Sequence, residues 1–193
     1  VEELKMSSTK PIGVLSGHGA AVTATAISPD GQIIASAGDD KMIRLWSIDG
    51  KLLRSFVAHK ERIWRLAFTP DGQILASASG DRTVKLWTVD GELLTTQFHE
   101  GAVWGVAINP DGNLIASSGR DGTFKVWKLD GTLVRNIDGK SNGLTRIAFS
   151  PDGETIATAG VDNTIKLWNL EGELLRTLPG HQGMVIAVDF TPD

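Results

Sequence analysis

The sequence specifies an all-β fold of tandem four-stranded antiparallel units, on three observations. Pro-Asp-Gly begins at Pro29, Pro70, Pro110 and Pro151, and Pro192-Asp193 opens a fifth copy, giving steps of 41, 40, 41 and 41 residues. Trp46, Trp87, Trp127 and Trp168 keep the same step, inside the strings Ile-Arg-Leu-Trp, Val-Lys-Leu-Trp, Phe-Lys-Val-Trp and Ile-Lys-Leu-Trp. His18, His59, His99 and His181 hold one phase, with Lys140 where another histidine would fall. Three markers sharing one period make each stretch of ~40 residues a structural unit.

The second unit shows each element in order. Ile63 to Phe68 reads as a first strand, Pro70-Asp71-Gly72 as a tight turn whose glycine supplies positive φ, and Ile74 to Ser77 as a second strand. A loop at Ser79 to Arg82 leads to a third strand, Thr83 to Val89, in which Val84 and Leu86 alternate with Lys85 and Trp87. Asp90-Gly91 is a two-residue hairpin signal, and Leu93 to Phe98 is the fourth strand. Four short strands per ~40 residues, with no helical period, describe one β-propeller blade. The units run roughly over residues 18–57, 58–97, 98–138 and 139–179, with a partial unit at 180–193 and a polar leader or linker at 1–10.

Composition narrows the function. Nineteen basic against 23 acidic residues give a formal net charge of −4, which argues against an electrostatic nucleic-acid or anionic-membrane binder. With no cysteine, disulfide scaffolds, iron–sulfur clusters and thiol catalysis are excluded. No apolar run approaches the ~20 residues of a membrane span. Zero cysteine and no signal sequence at the start point weakly to the cytoplasm.

From about Lys10 onward the residues resemble the WD-repeat β-propeller family. Gly-His precedes the first strand, Pro-Asp-Gly follows it, and Asp81-Arg82-Thr83-Val84-Lys85-Leu86-Trp87 carries the Asp-x-Thr-x-x-x-Trp pattern, with counterparts ending at Trp46, Trp127 and Trp168. No Trp is followed by Asp, a departure the family tolerates; Lys140 is the larger one. The close similarity of the repeats, as in Gly-Glu-Leu-Leu at Gly91 and Gly172, looks like bacterial members of the family. Such propellers often form the sensor part of a larger signalling protein. The resemblance implies a structural hydrogen-bond network in each blade. It would join His18, Ser36, Asp40 and Trp46 in the first, and His59, Ser77, Asp81 and Trp87 in the second. The third would have His99, Ser117, Asp121 and Trp127, and the fourth Thr158, Asp162 and Trp168, with part of the network missing. A Ser-His-Asp set also suggests a catalytic triad, but a nucleophile is needed once and this set recurs in every unit. Histidines ~40 residues apart lie in different blades, so no metal site is expected, and no cofactor or catalytic residue either.

A scaffold's function should lie where its repeats differ. Trp64 and Trp104 stand outside the repeated tryptophan position, where the other units carry Thr23, Thr145 and Ile186. The apolar spacing Ile63, Leu66, Phe68 and Val103, Val106, Ile108 breaks strict alternation as a β-bulge does, re-aiming Trp64-Arg65 and Trp104-Gly105. In the family this place lies near the face formed by the loops before the first strand and between the second and third. Carried over, that face presents Trp64, Trp104, Arg62, Arg120, Lys60 and Glu61, beside Asp39, Glu100 and Ala102. Trp and Arg are enriched at binding hot spots, and the arginines suggest an acidic partner segment. The competing reading is that the two tryptophans fill a central channel or pack on a neighbouring loop.

The expected function is a non-enzymatic interaction scaffold for protein or peptide, with no nucleic acid and no membrane. A structural repeat segment is the alternative, and an enzyme the least supported reading. Ile12 to Leu15 reads as a final strand and Met184 to Phe190 as a lone first strand, which are not neighbours within a blade. The expectation is therefore an arc of a ring, which the family resemblance implies has about seven blades and needs ~290 residues, the remaining blades coming from a longer parent chain or another copy.

Overall fold

The computed structural model describes residues 13–192. Its 16 strands form four antiparallel sheets, each in simple sequential order. Blade 1 contains β1 (Val22–Ile27), β2 (Ile33–Gly38), β3 (Met42–Ser47) and β4 (Leu52–Val57). Blade 2 contains β5 (Ile63–Phe68), β6 (Ile74–Ser79), β7 (Thr83–Thr88) and β8 (Leu93–Phe98). Blade 3 contains β9 (Val103–Ile108), β10 (Leu114–Gly119), β11 (Thr123–Lys128) and β12 (Leu133–Asp138). Blade 4 contains β13 (Leu144–Phe149), β14 (Thr155–Gly160), β15 (Ile165–Asn169) and β16 (Leu174–Leu178).

The Pro-Asp-Gly segments are turns because two residue types act together there. Gly72 takes φ 71°, a conformation that a Cβ disfavours, and the Thr69 hydroxyl donates to the Asp71 carboxylate while accepting the Ile74 N–H at 3.0 Å. Ser28 and Ser150 repeat the arrangement in blades 1 and 4.

Blades are held by their faces. Ala24, Ala35, Ala37, Ile43 and Leu45 of blade 1 pack against Ile63, Leu66, Leu75 and Trp87 of blade 2. Ala76, Ala78, Val84 and Leu86 of blade 2 meet Val103, Val106, Ile115 and Trp127 of blade 3. Ala116, Phe124 and Val126 of blade 3 meet Leu144, Ile147, Phe149, Ile156 and Trp168 of blade 4. Small residues on one face leave room for the large residues of the next, so the period-2 alternation builds three inter-blade cores. The first strands β1, β5, β9 and β13 pack side by side in that order, and the fourth strands are outermost.

The bulges expected in the first strands are present. The β5–β6 register jumps across Trp64, from Ile63 opposite Ser79 to Arg65 opposite Ala78, and the β9–β10 register jumps across Trp104. A second register break, between β3 and β4 at Trp46 and at its three counterparts, has no sign in the sequence pattern.

Two strand expectations need correction. Met184–Phe190 forms no strand, although Val185 is buried and its N–H bonds Gly160 O at 3.2 Å. A first strand needs the ladder of its own second strand, and among the described residues the segment has only the side of blade 4. Gly13 to Leu15 also lie outside any strand, and Ile12 falls outside the described residues.

Candidate functional site

The bulges put Trp64 and Trp104 half-buried at neighbouring blade edges, where they line one cleft of ≈ 380 Å³ with Thr145, Arg146, Met184 and Ile186. The sister positions show what the tryptophans displace. The Thr23 hydroxyl donates to Ile63 O in the next blade, and the Thr145 hydroxyl donates in the same way to Val185 O. Trp64 and Trp104 cannot make this inter-blade tether. The Trp104 ring lies over Gly143, where a Cβ would come within 3.1 Å of its edge.

The remaining residues expected on this face do not converge. Arg62 stacks over Trp64, its guanidinium carbon 4.6 Å from the ring centroid, but it also bonds Asp39 of blade 1 at 2.6 Å. Its charge is largely answered within the fold. Arg120 lies apart, in a concavity of ≈ 450 Å³ with Arg82 and Glu100. Lys60 borders a third concavity beside Lys85 and Phe98, and Glu61 is exposed, its carbonyl accepting from the Ser79 hydroxyl at 3.1 Å. Arg146 was missed. Its signal was the arginine recurring at the bulge in two units, at Arg65 and Arg146.

Behind the face runs the repeated polar network. In blade 2, Trp87 Nε1–H donates to Ser77 Oγ at 2.9 Å, Ser77 Oγ is 2.7 Å from His59 Nε2, and His59 Nδ1 is 2.9 Å from Asp81 Oδ2. Since Trp87 only donates and Asp81 accepts, the consistent assignment sends the Ser77 proton to Nε2 and leaves His59 neutral with its proton on Nδ1. Asp81 also accepts from the Lys60 N–H at 2.9 Å and the Thr83 hydroxyl at 2.6 Å. Blade 3 repeats the chain through Trp127, Ser117, His99 and Asp121, at 2.8, 2.8 and 3.0 Å. Blade 1 repeats it through Trp46, Ser36, His18 and Asp40, with Arg44 added on Asp40 at 2.8 Å.

In blade 4, Trp168 still donates to Thr158 at 2.9 Å, but Lys140 is exposed and takes no part in this chain. Lys166 pairs with Asp162 instead. The equivalent Lys85 and Lys125 donate to backbone carbonyls, Ala58 O at 2.7 Å and Phe98 O at 2.9 Å. Where the histidine is gone, the third-strand lysine turns to the aspartate.

The Ser–His–Asp geometry resembles that of a triad, but Ser77 is 0% exposed and its Oγ is held by Trp87, so no substrate carbonyl can reach it. Among the described residues no group of three His, Asp or Glu could hold a metal ion, and no helix is long and apolar enough to cross a membrane.

The network sets an acid sensitivity. Burial alone would raise Asp81 and Asp121, but the hydrogen bonds from His59 and Thr83, and from His99 and Thr123, outweigh it and hold both carboxyls well below the usual range. Burial pushes His59 below the ordinary imidazole value, against the pull of Asp81. Both shifts make the unfolded chain bind more protons as pH falls. Stability should decline gently below about pH 6.5, where an unfolded histidine charges, and steeply below about pH 4, where unfolded carboxylates protonate. Urea midpoints measured from pH 7.5 to pH 3 check this, and a midpoint flat across that range would contradict it.

Four-stranded sheets packed face to face, three of them carrying a complete Trp–Ser–His–Asp chain, define a WD-repeat β-propeller protein. A family model described as the IFT122 first beta-propeller matches residues 1–193, and the chain belongs to that family. The chain is also 46% identical over 52 residues to Ribosome assembly protein 4 of Saccharomyces cerevisiae, covering 26% of this chain and 10% of that protein. It is 33% identical over 69 residues to the CCR4-associated factor 4 homolog of Candida glabrata, covering 30% and 12%. Protein HIR1 of Kluyveromyces lactis is 39% identical over 41 residues, covering 21% and 5%. The matched stretches thus span about a tenth or less of those proteins' lengths. None of the three supports the bacterial type.

Proposed function

We propose that this chain is a rigid, non-enzymatic platform that binds a protein segment in the cleft of Trp64 and Trp104. The observation that carries the reading is the exchange at one repeat position. Thr23 uses it to tie blade 1 to blade 2 and Thr145 to tie blade 4 to the segment at Val185, whereas Trp64 and Trp104 forgo the tether and present half-buried indoles to a cleft. A residue that gives up a fold-stabilising contact for a large ring at a cleft suits recognition. Inter-blade packing would hold the rings in place before binding, so little ordering entropy is lost. The relatives, one named for ribosome assembly and one as a CCR4-associated factor, are in keeping with a protein partner. The same reading makes the chain the sensor part of a larger signalling protein.

The test replaces each tryptophan by the residue of its sister blades. Peptides selected from a displayed random library on the native chain should bind the Trp64→Thr, Trp104→Thr double variant at least ~30-fold more weakly, the loss of about 2 kcal/mol expected of a hot spot. Circular dichroism should be unchanged. Equal binding to both proteins would sink the proposal.

A further inference from the structure

The central cavity beneath the cleft carries an unbalanced charge. It is a solvent-open concavity of ≈ 210 Å³ lined by β5, β9 and β13 and by Val188 and Asp189. Its charged lining residues are Arg65, Arg146 and Asp189, so two guanidiniums face one carboxylate and one positive charge is left over. Arg65 and Arg146 come from the bulge position two blades apart. Gly105, at the matching place in the intervening blade, puts no side chain between them. Among the described residues neither guanidinium takes a hydrogen bond or an ion pair, although both feel the Asp189 charge. Arg44 and Arg62, by contrast, each sit on a carboxylate, Asp40 and Asp39.

Two half-buried guanidiniums sharing a cavity are costly unless an anion joins them. Each brings five N–H donors in a planar fork suited to carboxylate and phosphoryl oxygens. We infer that Arg65 and Arg146 form an oxyanion site in the central cavity, one that takes a carboxylate or phosphoryl group between the two guanidiniums. Burial first and the Arg65 charge second pull Arg146 down to about 10, and burial lowers Arg65 as well. Arg146 also borders the tryptophan cleft, so the same site is within reach of an acidic side chain on a segment bound there. The anion could therefore be free or carried by that segment, and only the second source rests on the function proposed above.

Thermal unfolding of the 193-residue chain in sodium phosphate against sodium chloride of equal ionic strength tests the site itself. Phosphate should raise the Tm of the native chain saturably, as a ligand of the folded state does, and should lose this advantage over chloride in Arg65→Met and Arg146→Met. In chloride the two variants should unfold no lower than the native chain, because a like-charge repulsion has been removed. A second arm compares library-selected peptides with their Asp and Glu changed to Asn and Gln. If the segment brings the anion, the native chain should prefer the acidic form about tenfold, and either methionine variant should abolish that preference. Trp64→Thr would weaken both forms alike. A phosphate effect without peptide preference assigns the site to a free anion. Absence of both effects, or a phosphate effect equal in the methionine variants, would overturn the inference whatever becomes of the cleft.

Discussion

Asp81→Ala is expected to lower the stability of the chain by about 2–4 kcal/mol, more than the same change at Asp162 in blade 4. The Asp81 carboxylate receives His59, Thr83 and the Lys60 N–H, and it is the end of a donor chain that begins at the buried Trp87. Removing it leaves the Nδ1–H of His59, a ring whose side chain is fully buried, with the neutral Thr83 hydroxyl at 3.1 Å in place of a carboxylate. Rotating the ring would only transfer the loss to Ser77. At Asp162 the carboxylate is 30% exposed and no histidine depends on it, so about 1 kcal/mol is expected, from a lysine that keeps the Thr164 hydroxyl at 2.8 Å. Urea unfolding of both variants measures the pair. Equal losses would mean that the histidine adds nothing to the hold of its blade.

That contrast also marks how far the sequence could be read. The strands and the turns followed from residue type and phase, because a repeated fold repeats its chemical needs, and the membership of the network followed from the family resemblance. The pairing of Lys166 with Asp162 did not follow. Lys85, Lys125 and Lys166 occupy one position and look alike in the sequence, and what each does depends on a histidine supplied by the loop before the first strand, more than 25 residues earlier. Trp64 and Trp104 stood out because they break the repeat, and they do share a cleft. Arg62 stood out equally, yet most of its charge is met by Asp39, a neighbour across a blade boundary that reading one unit at a time does not place beside it. Arg146 was passed over for the same reason. Its importance comes from the convergence of first strands at the centre, a property of the assembled blades rather than of any one of them. The missing last strand is a matter of pairing: apolar spacing proposes a strand, but a ladder partner makes one.

Ile63→Ala should cost about 3–4 kcal/mol, whereas Val22→Ala, at the matching position of blade 1, should cost less than about 1 kcal/mol. Ile63 is 0% exposed, within the core shared with Ala24, Ala35, Ala37, Ile43 and Leu45, and Val22 is 49% exposed. Ala35 and Ala37 cannot move in to fill the space, since they lie on β2, whose ladders with β1 and β3 fix it on both sides. The cavity therefore persists and its cost adds to the lost transfer energy. In a repeat protein each interface contributes to the whole, so this loss should appear in the unfolding midpoint with an unchanged m-value as long as the four blades unfold together. It should also reach the cleft. Ile63 is the residue before Trp64 and anchors the bulge that aims the indole, so a chain that still folds should bind selected peptides more weakly than its loss of stability alone explains. If Ile63→Ala costs no more than Val22→Ala, the blades are not held by their faces, and the rigidity on which the binding proposal depends is gone with them.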